Sequence, residues 1–188
     1  MIHLGILGST RGTTMNAIHS AIEQKRLSAT IEVVISNQAN ALILERATIL
    51  GLNIQFIDPA GFTRETYDHQ VSACLQQYCV DLVVLIGYMR ILSNHFIDQW
   101  KNKIINIHPS LLPAFAGKMD LDVHRAVLAA DIKETGCTVH YVIQEIDAGP
   151  IILQKRCAVL PHDTPETLKA RVQALEGEAL VEAIAQLN

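Results

Sequence analysis

Residues 104–113 read Ile104-Ile105-Asn106-Ile107-His108-Pro109-Ser110-Leu111-Leu112-Pro113. The apolar start is that of a buried strand near its end. Asn106 and His108 stand two residues apart, and on a strand positions i and i+2 share one face. Their side chains are therefore expected side by side. Pro109 has no N–H to give the ladder, so the strand stops there. In an open α/β sheet, a polar pair at the carboxyl end of a buried strand is where a ligand binds. Read by residue type alone, the pair is equally an amide with its bonds satisfied and a surface histidine at a strand exit.

Working outward, Asp81–Ile86 (DLVVLI) is a continuous apolar run, expected of a strand buried on both faces. Further strands are expected over residues 2–7, 30–36, 53–57, 136–143 and 151–159. Helices are expected over 15–22, 39–50, 62–78, 93–100, 121–130 and 164–187. Strands alternating with helices mean βαβ units. The expected fold is α/β, a single domain with an open, mostly parallel, Rossmann-like sheet and helices on both faces. The last two strands are expected to form a C-terminal β-hairpin, followed by a closing helix.

Two loops carry possible chemistry. Gly8-Ser9-Thr10-Arg11-Gly12-Thr13-Thr14 joins the first strand to the first helix. Backbone N–H groups at a helix N-terminus suit a phosphate, and Arg11 adds charge. The loop matches neither GxGxxG nor a Walker P-loop, and it also reads as an ordinary turn capped by threonine. Gln144-Glu145-Ile146-Asp147-Ala148-Gly149-Pro150 joins the last two strands, and Asp147 there also fits simple turn chemistry.

The 188 residues suit one domain. With 49% hydrophobic and 18% charged residues, the chain has ample material for a core and is not disordered. A net charge of −4 provides no global basic field, so no nucleic-acid partner is expected. Cys74, Cys79, Cys137 and Cys157 form no CxxC pair, and no histidine cluster has zinc spacing. They read as small hydrophobes in a reducing compartment, and no metal is expected. The N-terminus lacks a basic region and a cleavage site, and no apolar run is long enough to span a membrane. A cytoplasmic protein with no membrane partner is expected.

The block Asn106–Pro113, with Gly87-Tyr88-Met89-Arg90-Ile91-Leu92 upstream and Asp147-Ala148-Gly149-Pro150 downstream, resembles the phosphoribosylglycinamide formyltransferases of purine synthesis over nearly the whole chain. The resemblance implies formyl transfer from 10-formyltetrahydrofolate, a cosubstrate, to glycinamide ribonucleotide, by a monomer or homodimer. It implies a catalytic trio of Asn106, His108 and Asp147. It implies that Gly12, Thr13 and Thr14 hold the substrate phosphate and that Glu176 contacts the ribonucleotide. It implies that Arg64, Met89, Arg90, Ile91, Leu92 and Asn106 hold the folate. The ribonucleotide half then spans about residues 1–100, and the folate and catalytic half about 85–188.

The chain departs from the family pattern at several positions. Thr14 stands where the family usually has Asn, and the loop from Gly117 to His124 is longer than the common bacterial pattern, so His124 receives no role. Gly177, Leu180 and Val181 replace a His and a later Tyr-Pro, and relatives usually add a strand beyond residue 188. On residue type, Arg64 is also a solvated helix-start charge, and His140, set among alternating apolar residues, reads as a structural histidine. Ser110 reads as a cap, since no base accompanies it. Competing functions are methionyl-tRNA formyl transfer, formyltetrahydrofolate hydrolysis, and non-catalytic binding of folate or nucleotide. The first two relatives usually carry an additional domain.

Overall fold

The computed structural model describes residues 1–188. Its elements in order are β1 (Ile2–Leu7), α1 (Met15–Glu23), β2 (Ala29–Ser36), α2 (Leu42–Ile49), β3 (Ile54–Phe56), α3 (Arg64–Gln77), β4 (Leu82–Leu85), α4 (Asn94–Gln99), β5 (Ile104–His108), α5 (Leu121–Ala129), β6 (Glu134–Tyr141), β7 (Ile151–Ala158) and α6 (Pro165–Gln186). The seven strands form one sheet in the order β3-β2-β1-β4-β5-β6-β7. β1 to β5 run parallel. β6 is antiparallel to β5, and β7 to β6, so the expected hairpin forms. Although α5 lies between β5 and β6, the chain does not make the parallel crossover that alternation suggests, because β6 returns alongside β5 in the opposite sense.

The sequence explains where helices begin. Thr63 accepts from the Thr66 N–H at 3.2 Å, and Ser93 accepts from the Phe96 N–H at 3.3 Å. Thr164 and Thr167 exchange bonds in a capping box with Pro165 at the first helical position. Each cap satisfies N–H groups that have no partner within the helix. α2 begins at Leu42 rather than Ala39, because Ala41 is still extended (φ −65°, ψ 125°).

Each face of the sheet has its own core. Ile105 and Ile107 join a cluster with α1, α2, α5 and α6 on one face. Ile104 joins Tyr67 and Val71 of α3, Phe96 of α4 and Trp100 just beyond it on the other. By the period-two rule Asn106 and His108 then share the Ile104 face, as the sequence requires. α6 packs on α1, α5, β6 and β7. At the opposite end of the strands, the Ile2 N–H and the Asn188 side-chain amide both donate to the Ser28 carbonyl, at 3.2 and 2.8 Å. No helix is long and apolar enough to cross a membrane.

Candidate active site

β1 lies between β2 and β4, where the strand order reverses, and the loops leaving the carboxyl ends of β1, β4 and β5 meet there. That crevice is the usual ligand position in open α/β sheets. The loops are tied together. Ser9 N–H donates to the Gly87 carbonyl at 3.0 Å, and Met89 N–H donates to Ser9 Oγ at 2.8 Å.

On β5, Asn106 and His108 face out of the strand end as a pair, and the loop after β6 brings Asp147 to them. Asp147 Oδ2 lies 3.2 Å from His108 Nδ1 and accepts the Gly117 N–H at 2.8 Å. Asp147 holds φ 54°, a left-handed conformation that Asp tolerates better than most residues. His108 Nε2 lies 3.3 Å from the Phe115 carbonyl, where it can only donate. The segment after Pro113 therefore contacts both members of the His–Asp pair through its backbone. Thr138 pins the start of that segment. Its hydroxyl donates to the Ser110 carbonyl at 2.7 Å and accepts the Leu112 N–H at 3.0 Å.

Burial lowers the proton affinity of His108, and the neighbouring His140 lowers it slightly more. The Asp147 carboxylate and the Phe115 carbonyl oppose this without overcoming it. Both ring nitrogens face groups that can only accept, so the imidazolium would satisfy the two contacts at once, while burial opposes its charge.

On the Gly loop, the N–H groups of Gly12, Thr13 and Thr14 donate to no protein group. Thr14 occupies the N-cap position of α1 without a side-chain cap bond. Its buried hydroxyl donates instead to Glu176 Oε2 at 3.4 Å, across 162 positions of sequence. Gly12 has φ 62°, and a Cβ on it would stand 2.2 Å from Ile43 Cγ1. The sequence suggests close approach of an anion as the reason for glycine; the structure adds packing against α2 and a backbone shape that L-residues avoid.

Glu176 is buried on α6, and burial pushes its carboxyl up to about 7 from the ordinary 4.5, with Thr14 and Lys169 opposing. A raised carboxyl pKa means that the folded state binds the proton more tightly. Below pH 4.5 both states are protonated and there is no penalty. As pH rises from 4.5 to 7 the unfolded chain ionises first and stability falls. Above 7 the folded state carries the full cost, about 3 kcal/mol from ~1.4 kcal/mol per unit. Glu176→Gln is therefore expected to raise the urea midpoint of the free protein at pH 8 and much less at pH 5. An equal gain at both values would mean that Glu176 is not held protonated.

On the predicted folate side, the N–H groups of Arg90, Ile91 and Leu92 have no protein acceptor, whereas that of Met89 is taken by Ser9. Met89 and Ile91 are exposed, but Leu92 is 5% exposed and its side chain belongs to the α3–α4 core, so only its backbone is available. The Arg90 guanidinium lies 4.2 Å over the Tyr67 ring. Arg64 opens α3 with its side chain exposed and forms no hydrogen bond or ion pair with the trio. Met89 also lines a cavity of about 420 Å³ with Ser9, Gln38, Ala39, Asn40 and Ala41. A larger groove of about 490 Å³ between α2 and β3 touches none of the predicted residues. No group of three or more His, Cys, Asp or Glu side chains is arranged to hold a metal ion.

Sequence reading missed three contributors. The Phe115 carbonyl and the Gly117 N–H are backbone groups, which no side-chain pattern reveals. His140 lies directly opposite Asn106 in the β5–β6 register. Its only signal in sequence is a polar residue breaking an apolar alternation. His124, given no role, is buried on α5.

Comparison with known proteins agrees with this architecture. The formyl transferase family model matches residues 3–184. Phosphoribosylglycinamide formyltransferase of Escherichia coli (strain K12) is 38% identical over 93% of this chain and 82% of its own. The crystal structure of glycinamide ribonucleotide transformylase 1 from Symbiobacterium toebii is 43% identical with a TM-score of 0.94, covering 98% of this chain and 86% of that one. The trifunctional purine biosynthetic protein adenosine-3 of Gallus gallus is 39% identical over 97% of this chain, which spans only 18% of that protein's length. On these grounds the chain belongs to the formyl transferase family.

Proposed function

We propose that this chain transfers a formyl group from 10-formyltetrahydrofolate to the amino group of glycinamide ribonucleotide, a step of purine synthesis. The observation that carries this reading is the meeting of Asn106, His108 and Asp147, with Asp147 Oδ2 3.2 Å from His108 Nδ1 at the carboxyl end of the sheet. The substrate amine attacks the formyl carbon, forming a C–N bond and a tetrahedral oxyanion. Asn106 donates an N–H to that oxygen. The His108–Asp147 pair relays the proton released by the attacking nitrogen, and the negative Asp147 stabilises the imidazolium form of His108. The oxyanion then collapses, the bond to the folate nitrogen breaks, and that nitrogen takes up the proton the amine released.

The free N–H groups of Gly12, Thr13 and Thr14 are suited to hold the phosphate, and Glu176, against Thr14, to contact the ribonucleotide. The unpaired N–H groups of Arg90, Ile91 and Leu92, beside exposed Met89 and Ile91, offer the folate both polar and apolar contacts, and Arg64, exposed at the start of α3, adds a charge. In this reading one domain divides its work, residues 1–100 serving the ribonucleotide and 85–188 the folate and the chemistry. Every group named comes from one chain, so a single copy suffices. Four free cysteines fit a reducing cytoplasm.

The test is turnover with and without the ribonucleotide. Formyl transfer that requires glycinamide ribonucleotide is expected. Release of formate at the same rate without it would identify a hydrolase, and no turnover with either would identify a binding module.

A further inference from the structure

We propose that His140 is a positioning residue that fixes the orientation of the Asn106 side-chain amide, so that an N–H and not the carbonyl is presented to the reacting formyl oxygen. The inference rests on the role given to Asn106 above and names what that role requires.

A backbone carbonyl sets the tautomer of His140. His140 Nδ1 lies 2.9 Å from the Tyr141 carbonyl, which can only accept, so Nδ1 carries a proton. Neutral imidazole has one N–H, so Nε2 of His140 is left with a lone pair. Nε2 lies 3.3 Å from Asn106 Nδ2. A lone pair there accepts an N–H and repels a carbonyl oxygen. The Asn106 amide is thereby held one way round: one Nδ2 hydrogen goes to His140 and the other remains to donate.

The imidazole is 2% exposed, and burial holds it below its ordinary proton affinity despite the Tyr141 carbonyl and the nearby Asp147, which favours the neutral form. Asp147 Oδ1 is 3.7 Å from Nε2, too far for a hydrogen bond.

The surrounding backbone is shaped around this contact. The β6–β7 register shifts between Val139 and His140, a bulge of the kind that re-aims a side chain beside an active site. The Tyr141 N–H donates to the Pro150 carbonyl at 2.9 Å. Gly149 packs so closely that a Cβ there would stand 1.8 Å from the Tyr141 oxygen. The carbonyl that sets the His140 tautomer is therefore held from two sides. A histidine needed only to fill space would not require a bulge, a fixed carbonyl and a direct cross-strand asparagine.

Two substitutions separate the contacts. Asn reaches about as far as Nδ1, so His140→Asn keeps a donor for the Tyr141 carbonyl and loses the acceptor for Asn106. Gln reaches about as far as Nε2, so His140→Gln restores an acceptor. His140→Asn is expected to lower kcat at least ~10-fold, less than the ~10²–10³ of losing the donor outright, with KM for both substrates within about twofold. His140→Gln is expected to recover most of that loss. In an Asn106→Ala background, His140→Asn is expected to cost less than about twofold more, because the group it orients is gone. If Asn106→Ala alone keeps wild-type kcat, the proposed function itself is wrong. If Asn106→Ala is impaired but His140→Asn is not, or costs the same in both backgrounds, His140 does not act through Asn106 and this inference is overturned.

Discussion

Asn106→Asp, His108→Ala and Asp147→Asn are each expected to lower kcat by at least ~10²–10³, the usual cost of one missing donor at an oxyanion. Asn106→Asp should be the most severe relative to the atoms changed. It replaces a donor with an acceptor-only carboxylate beside developing negative charge. It also sets that carboxylate against the Nε2 lone pair of His140. His108→Ala removes the proton carrier. Asp147→Asn keeps a carbonyl for the Gly117 N–H but removes the charge that stabilises an imidazolium at 3.2 Å.

Because His108 and Asp147 act as one unit, the double variant His108→Ala/Asp147→Asn should lose much less than the product of the single losses. The measurement is kcat for the singles and the double, with circular dichroism to confirm the fold. Fully multiplicative losses would show independent action, and near-wild-type kcat in any single would sink the mechanism.

Gly12→Val is expected to raise the KM for the ribonucleotide more than ~10-fold and leave that for the folate within about twofold, since the residue lies only in the phosphate loop. It should also destabilise the protein, for two reasons. A β-branched residue at φ 62° costs ~1–2 kcal/mol in backbone strain, and overpacking against Ile43 costs a further ~1–3 kcal/mol. The clash falls on Ile43 Cβ and Cγ1, close to the backbone of α2, so a rotamer change cannot relieve it. Substrate titrations and urea unfolding separate the two effects. An unchanged ribonucleotide KM in a folded variant would remove this loop from the site.

Most of the fold is legible because each strand and helix carries its own period and boundary. Leu82–Ile86 is apolar throughout and lies mid-sheet; Asn106 and His108 share a face because side chains alternate. The direction of β6 is not legible. Gly136–Ile143 has the alternation of a strand, but alternation is the same whichever way the neighbour runs, and the preceding helix suggests a crossover. His140 is passed over for the same reason, since its partner Asn106 is fixed only by the β5–β6 register. Thr14 and Glu176 each look ordinary in their own segments, and only the packing of α6 on α1 brings them together. Where the site uses main-chain atoms, as at Phe115 and Gly117, composition is silent.

The Ser28 carbonyl, which accepts from both Ile2 and Asn188, brings the two ends of the chain together. That junction lies at the amino ends of β1 and β2, whereas the reacting groups lie at the carboxyl ends of the strands. β1 alone, six residues at ~3.3 Å each, separates the two levels by ~20 Å. Polypeptide attached at residue 1 or at residue 188 therefore leaves from the side away from the crevice, and a link between those residues has only a short gap to bridge. Fusion at either residue, or circular permutation, is therefore expected to leave the crevice open, because neither operation routes new chain past the substrates.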